Sequence, residues 1–283
     1  MGSVGDVAQQ QLGFESMPTR LIKVTPARLA TWTDCPRRYR MTYLDRPTPP
    51  RGGAWAHSTL GASVHNALRA FFDLPPERRT PEEATALVRG CWKSEGFAGP
   101  EQSAEYRERA QGWVADYVEG LDPGLEPVGL ERWVAAPVGT IIAEGRVDRI
   151  DERDGELVIV DYKTGRHGLS TDEVRSSQAL AMYATAARRT LRRECHTVEL
   201  HHLPTGEVWQ WEHSEATLER HVRRAEETAA DLQLAKDTLD AGGDPEILFE
   251  ARPGRRCAWC DFRRSCPEGQ QASAELEPWA LLG

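Results

Sequence analysis

The sequence predicts an α/β fold, a mixed central sheet flanked by helices, and three features of the chain predict it. Helical patterning runs from residue 25 to about residue 120 and then gives way to extended segments. Between residues 127 and 163 three such segments follow one another closely, the last rich in β-branched residues. Helix returns near 171–193 before two more short strands, and the order α–β–β–β–α–β layers helices on a sheet. The 283 residues are enough for one large domain or two small ones, and nothing in the pattern forces a second.

The elements follow in chain order. Residues 1–24 are expected to be a flexible tail. Thr25-Pro26 reads as a helix start, Thr as N-cap and Pro at the first helical position, with helix to about Leu44 and a bend at Pro36. Residues 47–53 read as loop. Leu60, Val64, Ala67, Leu68, Phe71 and Phe72 recur at helical spacing over 57–72. Two more helices are expected near 81–95 and 103–120, and a helical insertion is expected within the fold. Strands are expected at 127–136, 139–151 and 156–163, the last two joined by a turn at Arg153–Gly155. After the helix at 171–193, VELHHL and EVWQWEH form a hairpin about Pro204-Thr205-Gly206. A long helix covers 215–240. Beyond Gly242-Gly243 lies an irregular, Arg-rich cysteine segment, and 268–283 reads as a C-terminal tail.

The composition, 40% hydrophobic and 28% charged, is that of an ordinary globular chain. No apolar run is long enough to span a membrane, so no membrane partner is expected. The first twenty residues lack the basic and apolar regions of a secretory signal, and the protein is expected to be cytoplasmic. The net charge of -9 does not advertise nucleic-acid binding. Yet basic residues cluster at Arg37, Arg38 and Arg40, at Arg188, Arg189, Arg192 and Arg193, and at Arg252, Arg255, Arg256, Arg263 and Arg264.

The chemistry concentrates on the strand ELVIVDYK. Its side chains alternate, so Leu157, Ile159, Asp161 and Lys163 share one face, and Val158, Val160 and Tyr162 the other. The hairpin turn sets Asp148 beside Asp161. Two converging carboxylates favour a cation between them, and hard divalent ions such as Mg²⁺ and Mn²⁺ prefer oxygen ligands. A metal held there activates water and stabilises charge on a phosphoryl group, with Lys163 placed to assist. A strand-end salt bridge is the plainer reading of Asp161 and Lys163 alone.

Six cysteines stand at 35, 91, 195, 257, 260 and 266. Cys257, Cys260 and Cys266 form a C-x2-C-x5-C trio, whose close spacing asks for a metal, and Cys35 is the natural fourth ligand. Thiolates suit either Zn²⁺ or an iron–sulfur cluster. Cys91 and Cys195 sit in helical contexts and read as ordinary buried thiols.

With these residues in hand, GRVDRID followed by VIVDYKTG resembles the core of the PD-(D/E)XK nuclease superfamily, in its RecB-like branch. The resemblance implies a restriction-endonuclease-like core. It also implies His65, in Gly61-Ala62-Ser63-Val64-His65, as a metal ligand beside Asp148, Asp161 and the main-chain carbonyl of Tyr162. Lys163 would be catalytic. That branch adds a Gln and a Tyr on the following helix; here Gln178 and Tyr183 stand five apart rather than four, and Gln178 is the expected site contact. Glu131 is a candidate supporting acid.

The lone Cys and later trio resemble the iron–sulfur subset of that branch, which is similar to AddB-type and CRISPR-associated adaptation nucleases. The resemblance implies a [4Fe–4S] cluster on Cys35, Cys257, Cys260 and Cys266, joining 25–46 to 250–267 within a single domain spanning 25–267. Arg37, Arg38, Tyr39, Tyr183, Arg255 and Arg256 would contact DNA, while Trp259 and Phe262 would stack on bases or pack around the cluster. The function implied is a Mg²⁺- or Mn²⁺-dependent deoxyribonuclease. It is expected to be an exonuclease on single-stranded DNA or DNA ends, in repair, recombination or defence. The chain carries no helicase motif, so unwinding would come from a partner. The alternatives are a catalytically weak DNA-binding module and a redox-responsive DNA-binding protein of the same fold.

Overall fold

Strand alternation builds a six-stranded sheet in the computed structural model, which describes residues 21–165 and 170–282. The chain opens with β1 (Ile22–Val24), then α1 (Pro26–Asp34) and α2 (Pro36–Tyr43). The Thr25 hydroxyl accepts the Arg28 N–H at 3.2 Å and so caps α1 as its sequence predicts. Where one bent helix is expected there are two. Cys35 is fully extended, with φ −162°, because a residue before proline is pushed out of the helical region.

α3 (Ala56–Phe72), α4 (Pro81–Cys91) and α5 (Pro100–Glu119) form one helical layer. β2 (Gly129–Val138), β3 (Ile141–Arg153) and β4 (Glu156–Lys163) follow as an antiparallel meander. α6 (Thr171–Ser176) and α7 (Gln178–Leu191) replace the single helix expected at 171–193. Ser177 between them is extended and caps α7 by accepting the Leu180 N–H at 3.3 Å. The hairpin of β5 (Thr197–His202) and β6 (Glu207–Glu212), the long α8 (Glu215–Asp240), and the short α9 (Pro245–Leu248) and α10 (Pro267–Ala272) complete the chain.

β3 is the pivot of the sheet. One edge takes β2 along most of its length; the other takes β1 at residues 141–143 and β4 at residues 149–153. β4 runs parallel to β5, reached through α6 and α7. Leu157 and Ile159 of β4 face a core covered by α7 and α8, while Val158, Val160 and Tyr162 face a second core under α3 and α5. The alternation read from ELVIVDYK is thus what divides the two layers. No described helix is long and apolar enough to cross a membrane.

Both expected tails need correction. Residues 22–24 are the strand β1, with Ile22 opposite Ile141; residues 1–20 lie outside the described residues. The C-terminal segment docks rather than trails. Trp279 and Leu282 pack into the α3–α5 core, the Tyr106 hydroxyl donates to the Leu282 carbonyl at 3.0 Å, and the Ala56 N–H donates to the Pro278 carbonyl at 3.1 Å. Burying these large apolar side chains repays the ordering of the segment.

Candidate metal centre and cysteine cluster

The carboxylates meet where β3 and β4 run side by side. Arg149 pairs with Val160 in the antiparallel register, which sets Asp148 opposite Asp161. Along β3, Ile141, Ala143 and Val147 enter the α7-side core, but the next residue to do so is Ile150. The alternation therefore shifts by one residue at Asp148. Opposite it on β2, Glu131 has φ 45°, a left-handed backbone that a non-glycine residue holds at a cost. This local departure from regular strand turns Glu131 toward Asp148.

His65 reaches the acids from α3. Val64 and Leu68 bury its helix against Val160 and Tyr162, and Gly61 lets the helix come close: a Cβ there would lie 3.3 Å from the Thr164 hydroxyl. Imidazole Nε2 lies 3.2 Å from the Tyr162 carbonyl oxygen, and Nδ1 lies 3.4 Å from Asp148 Oδ1 and 3.9 Å from Glu131 Oε1. His65, Glu131 and Asp148 each bring one ligand atom within 4.8 Å of one another. Asp161 is outside that trio, and its carboxylate is ion-paired with the Lys163 ammonium. Asp148 Oδ2 also accepts the Tyr162 N–H at 3.0 Å.

The electrostatics separate the two aspartates. Burial pushes both up. At Asp148 this is outweighed by the hydrogen bond and charge of His65, with the Tyr162 N–H and Lys163, and its pKa falls below the usual value. At Asp161 burial prevails, helped by the Asp148 charge and opposed by Lys163, and its pKa rises. Burial works against a charge on His65 too, but Asp148, Asp161 and Glu131 hold its pKa above the ordinary value. An imidazolium satisfies both of its acceptors. Three carboxylates around one imidazole form a donor set that suits a hard divalent cation, which would take over that positive charge.

Other expected contacts stand differently. Gln178 spends its amide on the His221 carbonyl of α8, at 2.8 Å, instead of on the acids. It is the first residue of α7, and its side chain ties that helix to α8. Tyr183 takes the place facing the site: its ring covers Gly145, where a Cβ would meet Cε1 at 2.5 Å. Burial and the charges of Asp161 and Asp148 push its phenol to about 12, so it stays a hydrogen-bond donor. Two supports escaped sequence reading. Arg146 pairs with Glu131 at 2.9 Å, and buried His202 fixes the backbone after Lys163 through Nε2, 2.6 Å from the Gly165 carbonyl oxygen. Glu131, the candidate supporting acid, lies beside His65 and Asp148.

The four cysteines assemble as well. Cys35, Cys257, Cys260 and Cys266 line one cavity of about 50 Å³ with Arg37, Arg38 and Phe262, and none is in a disulfide. Backbone N–H groups of Arg252 and Gly254 donate to the sulfurs of Cys35 and Cys257 at 3.5 and 3.4 Å. Burial raises the Cys260 and Cys266 thiols, while the N–H groups of Phe262 and Gly269 and the charges of Arg38 and Arg37 pull them down. Cys195 is fully buried, its thiol pushed to about 12 by burial, and Cys91 is half-buried; both lie apart from this cavity.

The expected DNA contacts near the cluster are partly corrected. Arg37 is buried and bound to Glu268 at 2.8 Å and Glu246 at 2.6 Å. Tyr39 is 3% exposed, wedged between Trp32 and Tyr43, so it cannot stack on a base. Phe262 is buried beneath the Arg51 guanidinium. Arg38 lines the cysteine cavity, Arg255 is exposed, and Arg256 is exposed but ion-paired with Asp34.

The model of the PD-(D/E)XK nuclease superfamily matches residues 23–267. A solved structure described as "Crystal structure of SSO0001" is 15% identical, with a TM-score of 0.35 over 87% of this chain and 85% of that one. No curated protein matches.

Proposed function

The chain belongs to the PD-(D/E)XK nuclease superfamily, and from that premise we infer that it is a divalent-metal-dependent deoxyribonuclease of the RecB-like, iron–sulfur kind. The observation that carries this reading is the convergence of His65, Glu131, Asp148, Asp161 and Lys163 at the end of the β3–β4 hairpin. His65, Asp148 and Asp161 would hold Mg²⁺ or Mn²⁺ with the Tyr162 carbonyl, and Glu131 would join them. When bound, such a cation supplies Lewis acidity to the phosphoryl group and acidifies the attacking water.

The chain's own residues do the rest. Lys163, paired with the higher-pKa acid Asp161, is placed to orient the water and to offset the charge that develops on the phosphoryl oxygens. Asp148, held ionised by His65 and the Tyr162 N–H, keeps a full negative charge for the cation. Tyr183, a protonated phenol beside both acids, closes the α7 side of the site.

The convergence of Cys35, Cys257, Cys260 and Cys266 on one cavity supports a thiolate-ligated cluster there. Donation of N–H groups to the sulfurs favours thiolates. A [4Fe–4S] cluster on Cys35, Cys257, Cys260 and Cys266 would fasten α1 and α2 to the chain's end. Its role would be structural.

Single-stranded DNA or a DNA end is the substrate we favour, with unwinding left to a separate helicase in repair, recombination or defence. The test is cleavage of matched linear single-stranded, circular single-stranded and duplex DNA by anaerobically purified protein with Mn²⁺, Mg²⁺ or EDTA. Digestion of the linear strand alone supports an exonuclease. Cutting of circles makes it an endonuclease, and no cleavage of any DNA removes the nuclease reading.

A further inference from the structure

One face of α8 carries two arginines, Arg220 and Arg224, with no ion-pair partner among the described residues. Arg220 and Arg224 stand one helical turn apart, and like charges at that spacing disfavour a helix. Among the described residues neither has a carboxylate partner, whereas Arg223 on the same helix pairs with Glu219. With Arg175, Ser176, Trp211, Thr217 and His221 they line a concavity of about 320 Å³, and no acidic residue lines it. Arg175 is fixed from two sides. Its guanidinium pairs with Asp172 at 2.9 Å and lies 5.7 Å from the centre of the Trp211 ring. Burial lowers the pKa of His221; a backbone hydrogen bond with Arg175 opposes this, and the charges of Arg224 and Arg220 add to the lowering.

The concavity lies on the side of the sheet that carries the acids. Trp211 is opposite Val198, which is opposite Ile159, and all three pack in the α7-side core. Ile159 precedes Asp161 by two residues on the same strand face. Two strand spacings across and two residues along put Trp211 about 12 Å of backbone from Asp161. A nucleic-acid strand crossing that distance places more than one backbone phosphate between the acids and the concavity.

We propose that Arg175, Arg220 and Arg224 form a second site that grips backbone phosphates of the nucleic-acid strand presented to Asp148 and Asp161. The proposal rests on the phosphodiesterase reading above. Guanidinium groups suit it because their planar fork matches phosphate oxygens, and three on a protein of net charge -9 make a local exception. The site adds affinity without reading sequence, since phosphate contacts carry no base information.

The test is fluorescence anisotropy of a labelled single-stranded oligonucleotide, long enough to span both sites, titrated in EDTA over a range of NaCl concentrations. The Arg220→Ala/Arg224→Ala variant is compared with wild type and with Arg223→Ala. Loss of two phosphate contacts lowers the slope of log K against log salt by about 1.4 and weakens low-salt binding on the order of tenfold; Arg223→Ala does neither. Hydrolysis of bis-p-nitrophenyl phosphate with Mn²⁺, a diester too short to reach the second site, is unchanged in the double variant. Wild-type affinity and salt slope in a double variant with a wild-type unfolding midpoint would overturn the proposal. An effect confined to 5′-phosphorylated oligonucleotide would also overturn it, by assigning the site to a terminal phosphate monoester. Failure of wild type to hydrolyse the small diester would instead count against the phosphodiesterase reading, and the binding arm would still read the site.

Discussion

Arg149 Nη1 donates a hydrogen bond to the phenol oxygen of Tyr162 at 3.0 Å, and these two residues are the chain neighbours of Asp148 and Asp161. The acids face one side of the sheet while Arg149 and Tyr162 face the other. There Arg149 also binds the Tyr117 hydroxyl at 3.0 Å and Asp151 at 2.9 Å, wholly out of water. The register that sets Asp148 opposite Asp161 is thus locked from behind by a buried polar network.

Removing one member of that network has a defined cost. Tyr162→Phe leaves a buried Arg149 donor with one acceptor fewer, and urea unfolding is expected to show a loss of about 1–3 kcal/mol. The main-chain groups of residue 162 that face His65 and Asp148 are kept, so metal-dependent cleavage by the folded variant is expected to survive. Arg149→Met takes away one of the two arginines that hold the buried Asp151 carboxylate, leaving Arg153 at 3.1 Å, and is expected to cost about 3 kcal/mol.

Glu131 trades backbone comfort for its place beside Asp148. Glycine takes φ 45° without strain, so Glu131→Gly should cost less stability than Ala135→Gly on the same strand, where glycine only loosens the chain by about 0.5–1 kcal/mol. The lost Arg146 partner is largely exposed, so its loss contributes little. Calorimetric Mn²⁺ titration should show weaker binding in Glu131→Gly and unchanged binding in Ala135→Gly.

The close approach of Tyr183 to Gly145 predicts coupling. Gly145→Ala drives a methyl into the ring and is expected to destabilise by about 1–3 kcal/mol and to lower cleavage several-fold. Adding Tyr183→Ala removes the clash, so the double variant should be less unstable than the sum of the single changes. Denaturant midpoints of the four proteins measure this.

Glu199 ties stability to pH. Burial would raise its carboxyl, but His201 and Arg153 hold it down to about 2 from an ordinary 4.5. A depressed carboxyl stabilises the fold fully above its unfolded value, and that stability drains away as pH falls from about 4.5 toward 2. A shift of this size is worth about 3 kcal/mol. Glu199→Gln should therefore lower stability at pH 7 and flatten its dependence on pH below 4.5, read by urea unfolding across that range.

Much of this was legible in the chain because it is local. The period-two pattern of ELVIVDYK, the turn at Arg153–Gly155 and the C-x2-C-x5-C spacing each lie within a dozen residues. What escaped depends on distant partners. β1 is three residues long and pairs with a strand more than a hundred residues later, so no alternation marks it. Arg37 and Tyr39 read as DNA contacts, but Glu246, Glu268 and Phe249, some two hundred residues away, bury them. Gln178 answers to the His221 carbonyl, a main-chain group that no motif reveals. Glu131 turns toward the site through a backbone angle that glutamate does not advertise.

The central claim is that the acids beside Lys163 hydrolyse phosphodiesters with a divalent cation. The most direct measurement is cleavage of end-labelled single-stranded DNA with Mn²⁺ or EDTA, by wild type and by Asp161→Asn/Lys163→Met at matched iron content and unfolding midpoint. The account predicts cleavage by wild type with Mn²⁺, none with EDTA, and a loss of at least a hundredfold in the double variant, on the order of a removed charge-stabilising group. Equal cleavage by the two proteins, or cleavage that persists in EDTA, would contradict it.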